Sequence, residues 1–389
     1  MGSFVKSFLC ARAGERFTVV HFLVFSLLFL QLSIQLEQNR IGVFLRGVIE
    51  PPPKAMTMNI DDLTYEDETT HQHLIGFPIF ARLMRVDSQD AWMLYPLMVA
   101  ILFPSLWLYL VWVWRVPMLM ASCLILAIFN TPVVSGIGIE PNSDFFVNSV
   151  VIGLFLYIMH RPEAYLSIGL IFLFAMLVHQ RALVLLPAAI VWSVYWSEGQ
   201  PNCPFVVKPK RYLKAAVPFL IAAAVFLAYK SLFYYYFPAK FPLRRLDVTQ
   251  QFRQLLRLPS EHNLEGSILH YIVSLRNWEV WHLFYFSFVV LTVGALIKKS
   301  YTLALVALLL YLGSISQLLV AEDVHRLTSF LFIISLILAI EASQKDWPIY
   351  WSTCAFFVVA FLSSGVLHFG LGIQKWMNKA FSGLALGSW

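Results

Sequence analysis

Residues 91–134 read AWMLYPLMVAILFPSLWLYLVWVWRVPMLMASCLILAIFNTPVV, and Arg115 is the only charged residue in this apolar stretch. The apolar residues on either side of Arg115 are continuous rather than alternating, which favours helices over half-buried strands. Each side, 91–114 and 116–134, has about the 20 residues that a helix needs to cross a bilayer. We therefore predict two antiparallel membrane helices joined by a tight turn at Arg115.

The same kind of apolar run recurs along the rest of the chain. Of its 389 residues, 59% are hydrophobic and only 13% are charged, and the mean hydropathy is +0.71. The further predicted spans are residues 17–36, 145–159, 164–178, 182–196, 215–237, 281–297, 302–320, 327–342 and 350–369. We thus expect an all-α polytopic membrane protein with about 11 transmembrane helices. Residues 1–389 would form a single transmembrane domain, with short interfacial helices in two large loops, 37–90 and 238–279.

Basic residues in the short connections predict the orientation of these spans. Lys6, Arg12 and Arg16 precede the first span and no small-residue cleavage site follows it, so we expect an uncleaved span with a cytoplasmic N-terminus. The other inner connections then contain Arg115, His160-Arg161-Pro162, residues 208–214, Lys298-Lys299 and Gln344-Lys345-Asp346. All of these connections contain basic residues, as the positive-inside rule requires. Loops 37–90 and 238–279 consequently fall on the outer face, which is periplasmic, extracellular or lumenal.

The first loop contains an acidic stretch, residues 59–80, NIDDLTYEDETTHQHLIGFPIF. Its titratable side chains are Asp61, Asp62, Glu66, Asp67, Glu68, His71 and His73. A carboxylate near a membrane surface can act as a general base on a hydroxyl, and Asp67, Asp62 and Asp61 are the candidate catalytic residues. Glu68, His71 and His73 are candidates to line the same cavity. Paired carboxylates also suit a divalent cation such as Mg²⁺ or Mn²⁺, and the alternative is a solvated acidic loop without a site.

Three further polar clusters fall on the predicted outer face. Asp144 precedes one span, His179-Gln180-Arg181 separates two others, and Asp323-Val324-His325-Arg326 precedes another. The planar guanidinium of Arg326 suits a phosphate, although Asp323 and Arg326 can also pair simply to cap a helix. His179 and Arg181 either line a polar cavity or extend to the interface. Residues 241–262 form a predicted basic amphipathic helix, with Arg245 and Arg253, that lies in the membrane interface.

Other classes of protein fit the sequence poorly. The net charge of +6 is spread over short connections, so we expect no nucleic-acid partner. Cys10, Cys123, Cys203 and Cys354 are scattered and form no CxxC pair, which argues against a zinc site or a disulfide framework.

Taken together, these clusters resemble the motifs of the GT-C superfamily of integral membrane glycosyltransferases. The similar motifs are Asp67-Glu68-Thr69-Thr70-His71-Gln72-His73 followed by Phe77-Pro78-Ile79-Phe80-Ala81-Arg82-Leu83; Asp144-Phe145-Phe146 with His179-Gln180-Arg181-Ala182-Leu183 and Leu186-Pro187; and Asp323-Val324-His325-Arg326-Leu327. The likeness extends in order over residues 67–342. It implies transfer of a sugar from a polyprenyl-phosphate-linked donor to a lipid or glycan acceptor on the outer face.

The resemblance implies roles for the residues in these motifs. A first-loop carboxylate would be the base, while Asp61, Asp62 and Asp67 remain alternatives for it. Arg326, helped by Arg181, Arg245 and Arg253, would bind the donor phosphate. The rival interpretations are a transporter or flippase of an anionic lipid-linked substrate, and a non-catalytic subunit with the same fold.

Overall fold

A computed structural model describes residues 101–129, 143–197, 209–236, 278–316, 329–344 and 347–363, together with Gly76, Phe80 and Leu83. About 90% of these residues are helical, in ten helices and without a strand, so the all-α prediction is confirmed for this part of the chain. The helices are α1 (Ile101–Val113), α2 (Met118–Phe129), α3 (Ser143–His160), α4 (Tyr165–Val178), α5 (Leu186–Ser197), α6 (Pro209–Tyr236), α7 (Trp278–Ile297), α8 (Tyr301–Ser316), α9 (Phe332–Ala342) and α10 (Tyr350–Ser363).

Tight turns join several of these helices. Arg115, between α1 and α2, has a φ of 58°, and Lys299, between α7 and α8, has a φ of 59°. A positive φ is uncommon for residues with a side chain, and here it reverses the chain within a few residues. The turn predicted at Arg115 is therefore confirmed. The last five residues of α1, Tyr109–Val113, widen into a π-helix before this turn.

Side-chain contacts place the connections at two ends of the helical bundle. At one, the Arg115 end, the hydroxyl of Ser343 donates to the carbonyl of Trp114 at 3.1 Å, and Lys298 donates to Gln344 at 3.1 Å. Tyr109 also hydrogen-bonds to His160 there.

The opposite end, which we call the His179 end, has contacts of its own. Lys230 of α6 donates to Gln180, and the guanidinium of Arg181 lies over the ring of Phe330. Because each helix begins near one of these ends and runs toward the other, the described helices alternate in direction.

The most completely buried helix is α9. All eleven of its residues are buried, and it packs against α2, α7 and α10. A helix that is apolar on nearly every side suits this buried position. The single carboxylate of α9, Glu341, is fully buried close to the Arg115 end.

By contrast, α6 exposes much of its apolar surface. Its segment Pro209–Phe233 is the one described helix that is long and apolar enough to cross a membrane, and only 33% of its most apolar window is buried. The exposed large side chains of α6 are Leu213, Val217, Leu220, Ile221, Val225, Leu227, Leu232 and Tyr235.

Several predicted boundaries were wrong. Helix α6 begins at Pro209 rather than at 215, so Lys210, Arg211 and Lys214 belong to its first turns and not to a connection. The predicted span 182–196 begins as a 3-10 helix, Gln180–Leu185, and becomes α-helical only at Leu186. The part of 327–342 that the structure describes likewise begins with a 3-10 turn, Ser329–Leu331. Trp278 already lies in α7, inside the predicted loop 238–279.

Gly313 of α8 allows a close helix contact that can be tested. A Cβ atom at this position would lie 2.7 Å from the carbonyl oxygen of Val184, which is backbone and cannot rotate away. We expect Gly313→Ala to lower the free energy of unfolding by about 1–3 kcal/mol, the usual cost of overpacking. The measurement is thermal unfolding of the purified protein, with Gly153→Ala as the control because its Cβ would meet nothing within 4 Å. Equal unfolding temperatures for the two variants would contradict this packing.

Candidate functional site

The candidate site begins where α4 is interrupted at His179. Its backbone is extended, with φ −156° and ψ 123°, although its amide still bonds to the carbonyl of Ala175 at 2.9 Å. The Nδ1 atom of His179 accepts a hydrogen bond of 3.2 Å from the amide of Arg181. His179 thus caps the following 3-10 helix, in the way that polar side chains satisfy free amides at helix starts. The sequence predicted a short polar separation between two apolar runs here. The structure confirms it, with one extended residue between α4 and the 3-10 helix.

The side chains around this break include two cations. His179 is buried, with 8% of its surface exposed. The guanidinium of Arg181 lies 5.4 Å from the ring centre of Phe330, a cation–π contact. Next to Arg181, Gln180 accepts a hydrogen bond of 2.6 Å from the ammonium of Lys230. The His179 end therefore has one cation on the 3-10 helix and another on α6, and cations are the groups that bind anionic ligands.

Sequence reasoning missed Lys230 as part of this site. The residue lies within the predicted span 215–237 and is a lysine among apolar neighbours. An ionisable residue inside a membrane segment is a functional-site hypothesis by default, so this rule alone would have selected it.

The C-terminal part of the acidic stretch is anchored at the same break. Gly76 is helical and buried, and a Cβ atom added to it would lie 2.6 Å from the amide nitrogen of Val178. Val178 is the residue immediately before His179. Four residues after Gly76, Phe80 packs its ring 4.6 Å from that of Phe146, near the start of α3. Segments of the first loop therefore contact both α3 and the end of α4.

Each of these contacts involves a described residue that lies within four positions of a predicted motif residue in the sequence. Gly76 follows His73 by three residues, Phe146 follows Asp144 by two, and Phe330 follows Arg326 by four. The backbone of Asp144 lies in the first turn of α3. The remaining predicted site residues lie outside the described part of the chain: Asp61, Asp62, Asp67, Glu68, His71, His73, Arg245, Arg253, Asp323, His325 and Arg326.

No metal centre is assembled by the residues that the structure describes. Among them, no group of three or more His, Cys, Asp or Glu side chains could hold an ion. The Mg²⁺ or Mn²⁺ site considered for the acidic stretch falls on residues outside this set, and it stays a prediction.

A second polar cluster lies at the Arg115 end. The hydroxyl of Tyr195 donates to Oε1 of Glu341 at 3.0 Å, and the ammonium of Lys298 lies 3.9 Å from Oε2 of the same carboxylate. Lys298 and Glu341 are 6% and 0% exposed. A buried carboxylate that has both a cation and a hydroxyl donor is stabilised in its charged form. The cluster ties α5, the turn between α7 and α8, and α9 together, and we assign it to packing.

Comparison of the chain with protein-family models, with curated proteins and with solved structures found no match.

Proposed function

We propose that this protein is a polytopic membrane glycosyltransferase of the GT-C type. It transfers a sugar from a polyprenyl-phosphate-linked donor to a lipid or glycan acceptor at the His179 end, which is the periplasmic, extracellular or lumenal face. The alternating helices and the exposed apolar surface of α6 support the membrane placement. The N-terminus is cytoplasmic in this arrangement, and the Arg115 end faces the cytoplasm.

The observation that carries the proposal is the meeting of three distant segments around His179. Gly76 packs on Val178, and Phe330 packs on Arg181. Four residues of chain, at most about 14 Å when fully extended, separate Phe330 from Arg326. Arg326 is therefore four residues, and Asp67 nine residues, from a contact at the same break in α4. A glycosyl transfer site needs a base and cations near one anomeric carbon, and the packing of these three segments supports the proposal.

The reaction would proceed by direct displacement at the anomeric carbon. A first-loop carboxylate, Asp67 in our proposal, takes the proton of the acceptor hydroxyl while that oxygen attacks the anomeric carbon. The bond between this carbon and the donor phosphate oxygen breaks, and polyprenyl phosphate leaves. Arg326 and Arg181 stabilise the negative charge that develops on the leaving phosphate, with Lys230 near Gln180 adding to the positive potential.

The positions of the charged side chains favour an enzyme over a transporter. Transporters place binding sites near the bilayer midplane, often on broken helices. In the described helices, Lys230, Lys298 and Glu341 all lie within about two turns of a helix end or in a turn. The break at His179 likewise marks a helix end. A site at the membrane surface suits a lipid leaving group whose phosphate stays at the interface, and an acceptor that reaches the site from outside.

Replacing Arg181 tests the proposed phosphate site. Arg181→Gln removes the charge, and we expect weaker donor binding and slower transfer, together about 10- to 100-fold in kcat/KM, as for loss of a charge-assisted hydrogen bond. Arg181→Lys keeps the charge but loses the planar fork and the contact with Phe330, so its effect should be smaller. The measurement is transfer from a synthetic polyprenyl-phosphate-sugar donor by the purified full chain.

The matched control is Arg161→Gln, because Arg161 is exposed and lies at the Arg115 end. It loses the same charge and should keep the transfer rate. If Arg181→Gln and Arg161→Gln lose the same share of the transfer rate, Arg181 does not belong to the phosphate site. Purified protein that moves the donor lipid across vesicle bilayers without cleaving it would overturn the enzyme proposal in favour of a flippase.

A further inference from the structure

A groove runs between α4 and α6 on the outside of the bundle. Its volume is about 380 Å³, and nine of its eleven lining residues are apolar, among them Leu166, Leu170, Val217 and Ile221. The groove exists because the two helices touch over a small residue: a Cβ atom at Gly169 would lie 3.1 Å from the carbonyl oxygen of Pro218. The larger side chains on either side of this contact point outward and form its walls.

The two polar residues of the groove lie together at one end of it. The ammonium of Lys214 is 5.1 Å from the ring centre of Tyr165, and both residues line the groove. Lys210 and Arg211 are exposed on the turn of α6 just before Lys214. The mouth of an apolar groove is thus positively charged, and it lies toward the Arg115 end, where α6 begins and α4 begins.

The length of the groove matches one leaflet of a membrane. Along α6 it extends from Lys214 to Val225. At 1.5 Å per residue, this is about 16 Å, or about half of a hydrocarbon core of about 30 Å. A ligand with a charged head at Lys214 would therefore end near the bilayer midplane.

We propose that this groove binds one acyl chain of an anionic phospholipid from the cytoplasmic leaflet, with the lipid phosphate held by Lys214. The inference rests on the membrane placement proposed above, and it is independent of glycosyl transfer. Charge complementarity selects the occupant, because basic clusters at the cytoplasmic side of membrane helices attract anionic headgroups. The apolar walls contact the chain by close packing, because an acyl chain that comes from the bilayer gains no hydrophobic transfer energy.

The probe is phosphatidylglycerol compared with phosphatidylcholine, a lipid with the same chains and no net charge. The full-length protein is placed in nanodiscs of both lipids in equal amounts, and the lipids retained on the released protein are counted by native mass spectrometry. We expect one retained phosphatidylglycerol and a preference for it over phosphatidylcholine. Lys214→Gln should lower this preference about fivefold, the usual contribution of one basic residue at a membrane surface.

Two matched controls distinguish binding of the lipid headgroup from binding of the acyl chain. Lys210→Gln removes the same charge one turn earlier, at a residue that does not line the groove, and should have the smaller effect. Val217→Trp fills the groove and should reduce retention of both lipids, whereas Leu220→Trp adds the same bulk to an exposed position on α6 outside it and should not.

Each other outcome overturns the inference. Equal effects of Lys214→Gln and Lys210→Gln, or equal retention of the two lipids by the wild type, would exclude a specific headgroup site. A change in oligomer mass for Val217→Trp with unchanged lipid retention would make the groove a contact between copies of the chain. Failure of the protein to remain in alkali-washed membranes would instead overturn the membrane placement itself, which distinguishes the two failures.

Discussion

Asp67→Asn should lower sugar transfer by about 100- to 10,000-fold, the range expected for loss of a general base. Asparagine keeps the volume of the side chain and most of its hydrogen bonding, but it cannot accept the proton of the acceptor hydroxyl. Donor binding should survive, because a carboxylate has no attraction for the donor phosphate and its removal relieves repulsion. The two measurements are the transfer rate and the affinity for a synthetic polyprenyl-phosphate-sugar donor.

Asp61→Asn and Asp62→Asn are the matched controls, since both replace a carboxylate of the same acidic stretch. If Asp67→Asn keeps full transfer and one of these two variants loses it, the proposed reaction stands and the base is Asp61 or Asp62 instead. Unchanged transfer in all three variants would mean that no aspartate of the three acts as a base, and the catalytic proposal would fail.

Gly76→Ala should reduce transfer by about 100-fold, although residue 76 has no chemical group to contribute. The added Cβ would lie 2.6 Å from the backbone nitrogen of Val178 and 2.8 Å from the carbonyl carbon of Leu177. Neither backbone atom can rotate away, so the first-loop segment must move relative to His179. A shift of about 1 Å between reacting groups can cost about 100-fold in rate.

Gly153→Ala is the control, because its Cβ would meet no atom within 4 Å on helix α3. Alanine in a helix is favoured over glycine by about 1 kcal/mol, so this variant should unfold at the same or a higher temperature and keep its activity. Wild-type transfer by Gly76→Ala would show that the contact between the first loop and α4 does not position the base. For Gly76→Ala we expect a lower unfolding temperature, as for Gly313→Ala, together with a loss of transfer at temperatures where the variant stays folded.

Much of the helical architecture follows from local properties of the sequence. Continuous apolar runs predict helices because a helix satisfies its backbone hydrogen bonds within the segment. The runs around Arg115 predicted both flanking helices and the turn between them, and the structure agrees over residues 101–129. The start of α6 was predicted too late because its first turns hold Lys210, Arg211 and Lys214, which were assigned to a polar connection. Pro209 was the missed indication, as proline is favoured in the first turn of a helix.

The candidate site could be predicted only as a set of separate segments. The polar residues at 179–181 were selected by their position between two apolar runs, and the structure places a helix break there. Lys230 was not selected, and its partner Gln180 is 50 residues away in the chain. No local rule relates two positions at that distance, so the pair could be seen only in three dimensions.

The sequence by itself determined that the described part of the chain is helical and where its polar breaks fall. Only the tertiary structure decided which segments meet: Gly76 against Val178, Arg181 against Phe330, and Tyr195 with Glu341, 146 residues apart. The physical reason is that these helices are apolar on nearly every side, so hydrophobicity does not distinguish one face from another. The choice of neighbours depends instead on shape, where a glycine admits another backbone, and on a few polar groups that must find partners once they leave water.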